Sequence, residues 1–356
     1  MPGLPETFTM TAPATAPAID WHDVLGWQTG GQGFPRARLA HPFHRMPADF
    51  QAKAPEAVWD LSRQAAGLYV DFQTDSDRIE GRWAVEGGRE VGAGCGTRFA
   101  HYGLDLYGQD PGGPWQWIGA MDLPADRDSV ILHRDGLRPS AQRRYRVYLP
   151  LFRQVQRLAI GVTTGASFTG LAPRSAKPIV IYGTSICHGH ECSRAGLCHV
   201  NVLNRLLDRD TVNLGFSGRG RMEPVIAETI RAIDASLFVV DCLPNISPTD
   251  ARERVAPFVA LLREQHPTTP ILFVGDRLFG NHAFIAGMTA LQRDKSNAQR
   301  AALAPLMERD PNLHLIDGVD FFGDDGTDDG SHPNDLGYRR FAEHLAPVMR
   351  RILGGT

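Results

Sequence analysis

An apolar run, Ile179-Val180-Ile181-Tyr182, stops abruptly at Gly183-Thr184-Ser185. A serine hydroxyl becomes a nucleophile only when a base takes its proton. His332, in Asp328-Asp329-Gly330-Ser331-His332-Pro333, is the candidate base. Asp329 lies three residues before it, within reach over a single tight turn. A carboxylate there accepts the Nδ1 proton and holds the imidazole in the tautomer that leaves Nε2 free. Such a set performs acyl transfer. The tetrahedral intermediate puts negative charge on the former carbonyl oxygen, and that charge needs fixed donors. The backbone N–H of Ser185, the backbone N–H of Gly215 and the side-chain amide of Asn245 are the candidates. Glycine suits the middle position, because no Cβ blocks a close approach. Asp276, Arg277 and His188 are candidates for substrate contact; an ion pair closing a loop is the competing reading of Asp276 and Arg277.

Other chemistries fit less well. Cys187, His188, His190, Cys192, Cys198 and His199 form one irregular cluster, whereas structural zinc sites pair two close ligand couples. Cys187 lies near the candidate base, but Ser185 fits the strand-end position better. Asp325, Thr327 and Asp329 resemble the start of a calcium loop, but its twelfth position is Leu336 and not a bidentate Glu. Asp324, Asp325 and Asp328 read as solvated loop charges or turn formers. The glycines of "VGAGCGT" and "GFSGRG" do not match a dinucleotide fingerprint. Acyl transfer by serine requires no metal or organic cofactor, and none is expected.

These residues need elements to position them. "PIVIYG", "TVNLG", "SLFVVDC", "PILFVGD" and "LHLIDG" are apolar strands. Helical stretches follow them near 197–208, 222–233, 249–265, 285–308 and 334–352. That alternation predicts a parallel sheet covered by helices on both faces, with ligands beyond the carboxyl ends of the strands. Residues 20–170 have a different rhythm. Short strands such as "GLYVDFQTD", "RIEGRWAV" and "RRYRVYLPL" are broken by Gly, Pro and Asp, and predict an antiparallel sandwich. Trp115 and Trp117 alternate within it and read as core, or as a sugar platform if exposed. The expected division is a leader over 1–18, a β-sandwich (jelly-roll-like) domain over 19–172 and an α/β catalytic domain over 173–356, with "GLAPRSAKP" as the linker.

Four blocks, "YGTSICHG", "NLGFSGRGRMEP", "DCLPN" and "DGSHPNDLGY", occur in order at the strand ends. Together they resemble the SGNH (GDSL-like) hydrolases. The chain is most similar to the branch with a β-rich N-terminal domain carrying G-x-D-L-Y, here Gly103 to Tyr107. The resemblance implies a flavodoxin-like hydrolase domain. In it Ser185 is the nucleophile, His332 the base, Asp329 its orienting acid, and Gly215 and Asn245 oxyanion donors. It also implies removal of short acyl groups, acetyl above all, from a carbohydrate. A general carboxylesterase or an acyltransferase shares every one of these groups. Relatives often carry Thr-Gln where this chain has Cys187-His188, which bears on the pocket and not on the mechanism. A degenerate carbohydrate-binding protein and a zinc-dependent hydrolase are the rival readings.

The 356 residues are 42 % hydrophobic and 22 % charged, with a formal net charge of −3. A basic face for nucleic acid or an anionic membrane is therefore not expected. No apolar run is long enough to span a bilayer, and the start lacks the basic and apolar regions of a secretory signal. The expectation is a cytoplasmic protein acting on a small-molecule or oligosaccharide ester. Its five cysteines read as free thiols, and its oligomeric state is open.

Overall fold

The computed structural model describes residues 18–87, 96–121, 132–278, 284–318 and 320–354. Residues 1–17 of the expected leader, Cys95 and most of "VGAGCGT" lie outside the described residues.

The first half builds two antiparallel sheets. Its elements are β1 (Ile19–Asp23), α1 (Glu56–Ser62), β2 (Tyr69–Thr74), β3 (Ile79–Glu86), α2 (Arg98–Tyr102), β4 (Leu104–Gln109), β5 (Gln116–Met121), β6 (Leu132–Arg134), β7 (Arg144–Tyr148), β8 (Gln154–Thr163) and β9 (Phe168–Leu171). A four-stranded sheet has the order β1-β8-β3-β6, and a five-stranded sheet the order β5-β4-β7-β2-β9. Period-two alternation sends Val70, Phe72, Leu104, Leu106, Tyr145 and Val147 of the second sheet inward. They meet Ile79, Trp83, Leu158 and Ile160 of the first.

The second half contains β10 (Ile179–Gly183), α3 (Ser185–His188), α4 (His199–Leu207), β11 (Thr211–Gly215), α5 (Pro224–Ile230), β12 (Leu237–Asp241), α6 (Pro248–Arg263), β13 (Ile271–Val274), α7 (Met288–Met307), β14 (Leu313–Ile316) and α8 (Asp335–Ile352). All five strands are parallel, in the order β11-β10-β12-β13-β14. Val180, Tyr182, Phe238 and Val240 face α5, α6 and α7, whereas Ile179, Ile181, Leu237 and Val239 face α4 and α8. Both faces are thus buried, which is why these strands read as unbroken apolar runs. β10 lies between β11 and β12, at the point where the strand order reverses. Gly183 pairs in register with Gly215 on one side and Asp241 on the other. Three strand ends therefore deliver their loops to one edge.

β11 is an edge strand, and the first half covers it. Arg45, 1 % exposed, donates Nη1 to Asn213 O at 3.0 Å and to Gly215 O at 2.9 Å. The same guanidinium donates to Gln64 O (2.8 Å) and Leu61 O (2.6 Å). Tyr69 donates to Asp210, and Arg146 links Asp71 to Asn204 on α4. In the Gly103–Tyr107 stretch, Asp105 accepts from Arg194 Nη1 (2.8 Å) and from Gly196 N (2.7 Å). Tyr107 Oη is 2.6 Å from the same Arg194 nitrogen, which donates to it. That signature therefore grips the segment that follows α3. Trp115 is partly buried, whereas Trp117 is 51 % exposed with its indole N–H bonded to Asp105.

Candidate active site

Ser185 is the first residue of α3. Thr184 caps this single turn by accepting from Ile186 N at 3.3 Å, and Gly189 ends it in the left-handed region at φ 106°. A Cβ on Gly183 would stand 2.3 Å from Cys187 Sγ, so the tight strand-to-helix turn needs glycine there. The Ser185 hydroxyl consequently sits at the strand edge, 2.8 Å from His332 Nε2.

His332 lies in the loop before α8. Its Nδ1 is 2.6 Å from Asp329 Oδ2. Asp329 Oδ1 also accepts from His332 N (2.6 Å) and Ser331 N (2.8 Å). Burial opposes the Asp329 charge, but the hydrogen bonds from His332 and Ser331 outweigh it and hold the carboxyl below its ordinary value. The neighbouring Asp328 accepts from Asn334 Nδ2, the side chain that caps α8. The two adjacent carboxylates thus have separate partners, and the three-residue offset selects Asp329 for the imidazole.

Asn245 closes the single turn after β12. Its Nδ2 is buried and has no partner among the described residues. Gly215 stands elsewhere. Its N–H is committed to Asn213 Oδ1 at 2.9 Å within its own strand, and a Cβ there would sit 2.1 Å from His188 N. It packs under α3 and does not line the cleft. Gly218, three residues on in the turn after β11, lines the cleft with Ser185, Asn245 and His332. Its φ of 70° suits glycine, and its N–H is unpartnered among the described residues.

The other expected substrate contacts are also corrected. His188 is fully buried: Nε2 donates to Leu151 O (2.9 Å), so Nδ1 accepts from Ser217 Oγ (3.2 Å). Burial, with Arg45 nearby, pushes its pKa well below the ordinary value. It braces the turn that carries Gly218. Arg277 is buried and donates to Asp241 Oδ1 at 2.5 Å, and Asp276 is 3 % exposed. Neither lines the cleft. Asp276 instead stands behind Lys295, a lining residue that no motif announced.

The cysteine and histidine cluster disperses. Cys192 donates to Arg194 O and Cys198 to Cys187 O. Burial, then the Asp241 charge, pushes the Cys187 thiol well up, which keeps it protonated and poorly nucleophilic. Among the described residues, Cys187, His199 and Asp241 bring candidate ligand atoms within 4.8 Å of one another. The Arg277 guanidinium on Asp241 opposes a cation there. His190, expected only within that cluster, lines the cleft and packs on His332 with ring centroids 4.3 Å apart.

The cleft holds about 530 Å³. Leu61, Gln64, His101 and Phe152 bring the first half into its lining. A hydroxyl bonded to an imidazole, itself bonded to a carboxylate, beside two unpartnered donors, is equipped for acyl transfer. Among the described residues, no helix is long and apolar enough to cross a membrane.

Residues 176–350 match the GDSL-like lipase/acylhydrolase family, and residues 19–168 match the GxDLY family, the N-terminus of SGNH-hydrolase-type esterases. A search of curated proteins finds no match. A GDSL-like lipase structure from Bacteroides ovatus is 31 % identical, with a TM-score of 0.87, over 95 % of this chain and 98 % of that one. The salicylyl-acyltransferase SsfX3 of a tetracycline biosynthetic pathway is 24 % identical, with a TM-score of 0.70, over 95 % and 96 %. A family two carbohydrate esterase from Cellvibrio japonicus shares the fold at 13 % identity and a TM-score of 0.58, over 95 % and 98 %. With one relative matched at this identity along nearly its whole length, and both halves matched by family, the chain belongs to the GDSL-like (SGNH) lipase/acylhydrolase family of esterases, in the form that carries the GxDLY N-terminal domain.

Proposed function

We propose that this enzyme is a serine ester hydrolase that removes short acyl groups, acetyl foremost, from a carbohydrate. The observation that carries the mechanism is the unbroken relay from Ser185 Oγ to His332 Nε2 (2.8 Å) and from His332 Nδ1 to Asp329 (2.6 Å). Ser185 Oγ attacks the ester carbonyl while His332 Nε2 takes its proton. Asp329 holds the ring and stabilises the imidazolium. The Ser185 N–H, the Gly218 N–H and Asn245 Nδ2 meet the oxyanion. The proton on His332 passes to the leaving alcohol, and the acyl group stays on Ser185. Water then gives its proton to the same imidazole and attacks the acyl-enzyme, and His332 returns that proton to Ser185 Oγ as the acid leaves.

The carbohydrate part of this reading draws on the family two carbohydrate esterase whose fold the chain shares. The open cleft between the two halves supports it, because it leaves room for an alcohol larger than the acyl group. The test compares acetylated sugars with aryl esters of increasing chain length, for the wild type and Ser185→Ala. The expected result is a preference for acetyl and a loss of at least about 10³-fold in Ser185→Ala. Equal rates for the two proteins would end the serine mechanism. A preference for long-chain aryl esters would end the acetyl assignment.

A further inference from the structure

One end of the cleft holds a group that the proposed reaction does not use. Lys295 projects from α7, and its side chain is 13 % exposed. Its Nζ donates to Pro244 O at 3.4 Å and stands 3.6 Å from Asp276 Oδ2. Asp276 has no exposed side-chain surface and does not line the cleft, whereas Lys295 does. An ammonium has three donors. One serves Pro244 and one is directed by Asp276. The third has no partner among the described residues and is left for the cleft.

A lysine stem normally extends into water, where its charge is hydrated and its rotamers are free. Here the chain is drawn inward. Its ammonium stands 3.6 Å from Asp276 Oδ2, within ion-pair distance of a buried carboxylate. The geometry also holds the ammonium next to Asn245, the residue that follows Pro244. No Asp or Glu lines the cleft among the described residues, and Lys295 is its one lysine or arginine. Other charges near the relay stand behind its lining: Glu191 Oε1 lies 3.4 Å from Nδ1 of the cleft-lining His190. Asp329 stands behind His332, and Arg277 is paired with Asp241. Charge is thus laid out along the cleft, with its positive end beside Asn245.

We infer that the ester substrate carries a carboxylate, and that Lys295 binds it at the Asn245 end of the cleft. This rests on Ser185 being the nucleophile. Lys295 is a specificity residue in this account. It selects among esters and takes no part in proton transfer.

The full-length enzyme is assayed in two arms. The acyl arm compares monoethyl glutarate with diethyl glutarate in a pH-stat. The alcohol arm compares an O-acetylated uronic acid with its methyl ester, read as released acetate. In one arm the wild type is expected to favour the carboxylate form in kcat/KM by about tenfold or more, the range of a charge-assisted contact. Added salt should erode that ratio. In Lys295→Met the ratio should fall to about one, chiefly through KM, and Lys295→Arg should restore part of it. A wild type without preference in either arm overturns the inference, whatever the variants do. A preference that survives intact in Lys295→Met also overturns it. Wild-type rates in Ser185→Ala would instead end the serine reading, a separate failure.

Discussion

At the scale of single residues, Asn245 presents an imbalance. Its buried Nδ2 lacks a partner among the described residues, and such a donor costs about 1–3 kcal/mol in a resting protein. An oxyanion formed beside it would supply the missing acceptor. Asn245→Ala is therefore expected to lower kcat by about 10²- to 10³-fold with KM little changed. Thermal stability should hold or rise, because an unsatisfied group is removed. A variant with wild-type kcat would take Asn245 out of the site. Asp329→Asn should also fold but present the wrong imidazole tautomer, lowering kcat by about 10⁴-fold in steady-state assays. The sequence order that pairs a strand-end Ser185 with His332 and an Asp three residues before it matches the hydrogen-bonded chain Ser185–His332–Asp329 in the structure. Gly215 was not separable from Gly218. Gly215 ends β11 and Gly218 lies three residues on in the turn, and only the Asn213 contact shows that the Gly215 N–H is already taken. His188 was misplaced because spacing gives a position along a strand end and not a depth, whereas for Asp276 and Arg277 the ion-pair reading matches their buried pairing with Lys295 and Asp241. Lys295 lies mid-helix, where a lysine ordinarily marks a solvated face.

At the scale of elements, the parallel strands were legible because burial on both faces removes alternation, and the sandwich strands because turn residues punctuate them. The covered edge was not. An exposed β11 would offer unpaired carbonyls to solvent or to another strand. Arg45 fills that role from more than 160 positions upstream in the chain, too far for any local pattern to show. Its partners are four backbone carbonyls, and burial brings its pKa down to about 9. Arg45→Met should leave those carbonyls without a donor and lower stability by about 3 kcal/mol in urea melts. It should lower kcat as well, because β11 leads into the turn carrying Ser217 and Gly218. Arg45→Lys should rescue little, since a single ammonium cannot reproduce the planar fork. Wild-type kcat in a destabilised Arg45→Met would confine the residue to a structural role.

At the scale of the whole molecule, the halves meet through buried polar groups, and several buried imidazoles are held neutral. Burial, then the charges of His41 and Arg63, lowers the His44 pKa to about 4. Burial, then Arg277, lowers that of His199 to about 3. In the unfolded chain each ring takes a proton near its ordinary value of about 6.5. Between that value and the folded one, the unfolded state holds the extra proton. Stability is therefore full above pH 6.5 and falls as the pH drops, down to about 4 for His44 and about 3 for His199, by about 1.4 kcal/mol per pH unit within each window. His199 isolates one of these contributions. Both ring nitrogens lack partners among the described residues, and the ring stacks at 4° on Tyr338 and packs 4.7 Å from Phe341. Phenylalanine keeps that shape and discards the basic group. His199→Phe should thus gain about 2 kcal/mol relative to the wild type on going from pH 8 to pH 5, read as urea midpoints at the two pH values. Parallel losses of stability in the two proteins over that interval would show that the His199 ring is protonated in the folded state, and that its burial is not what makes the fold acid-labile.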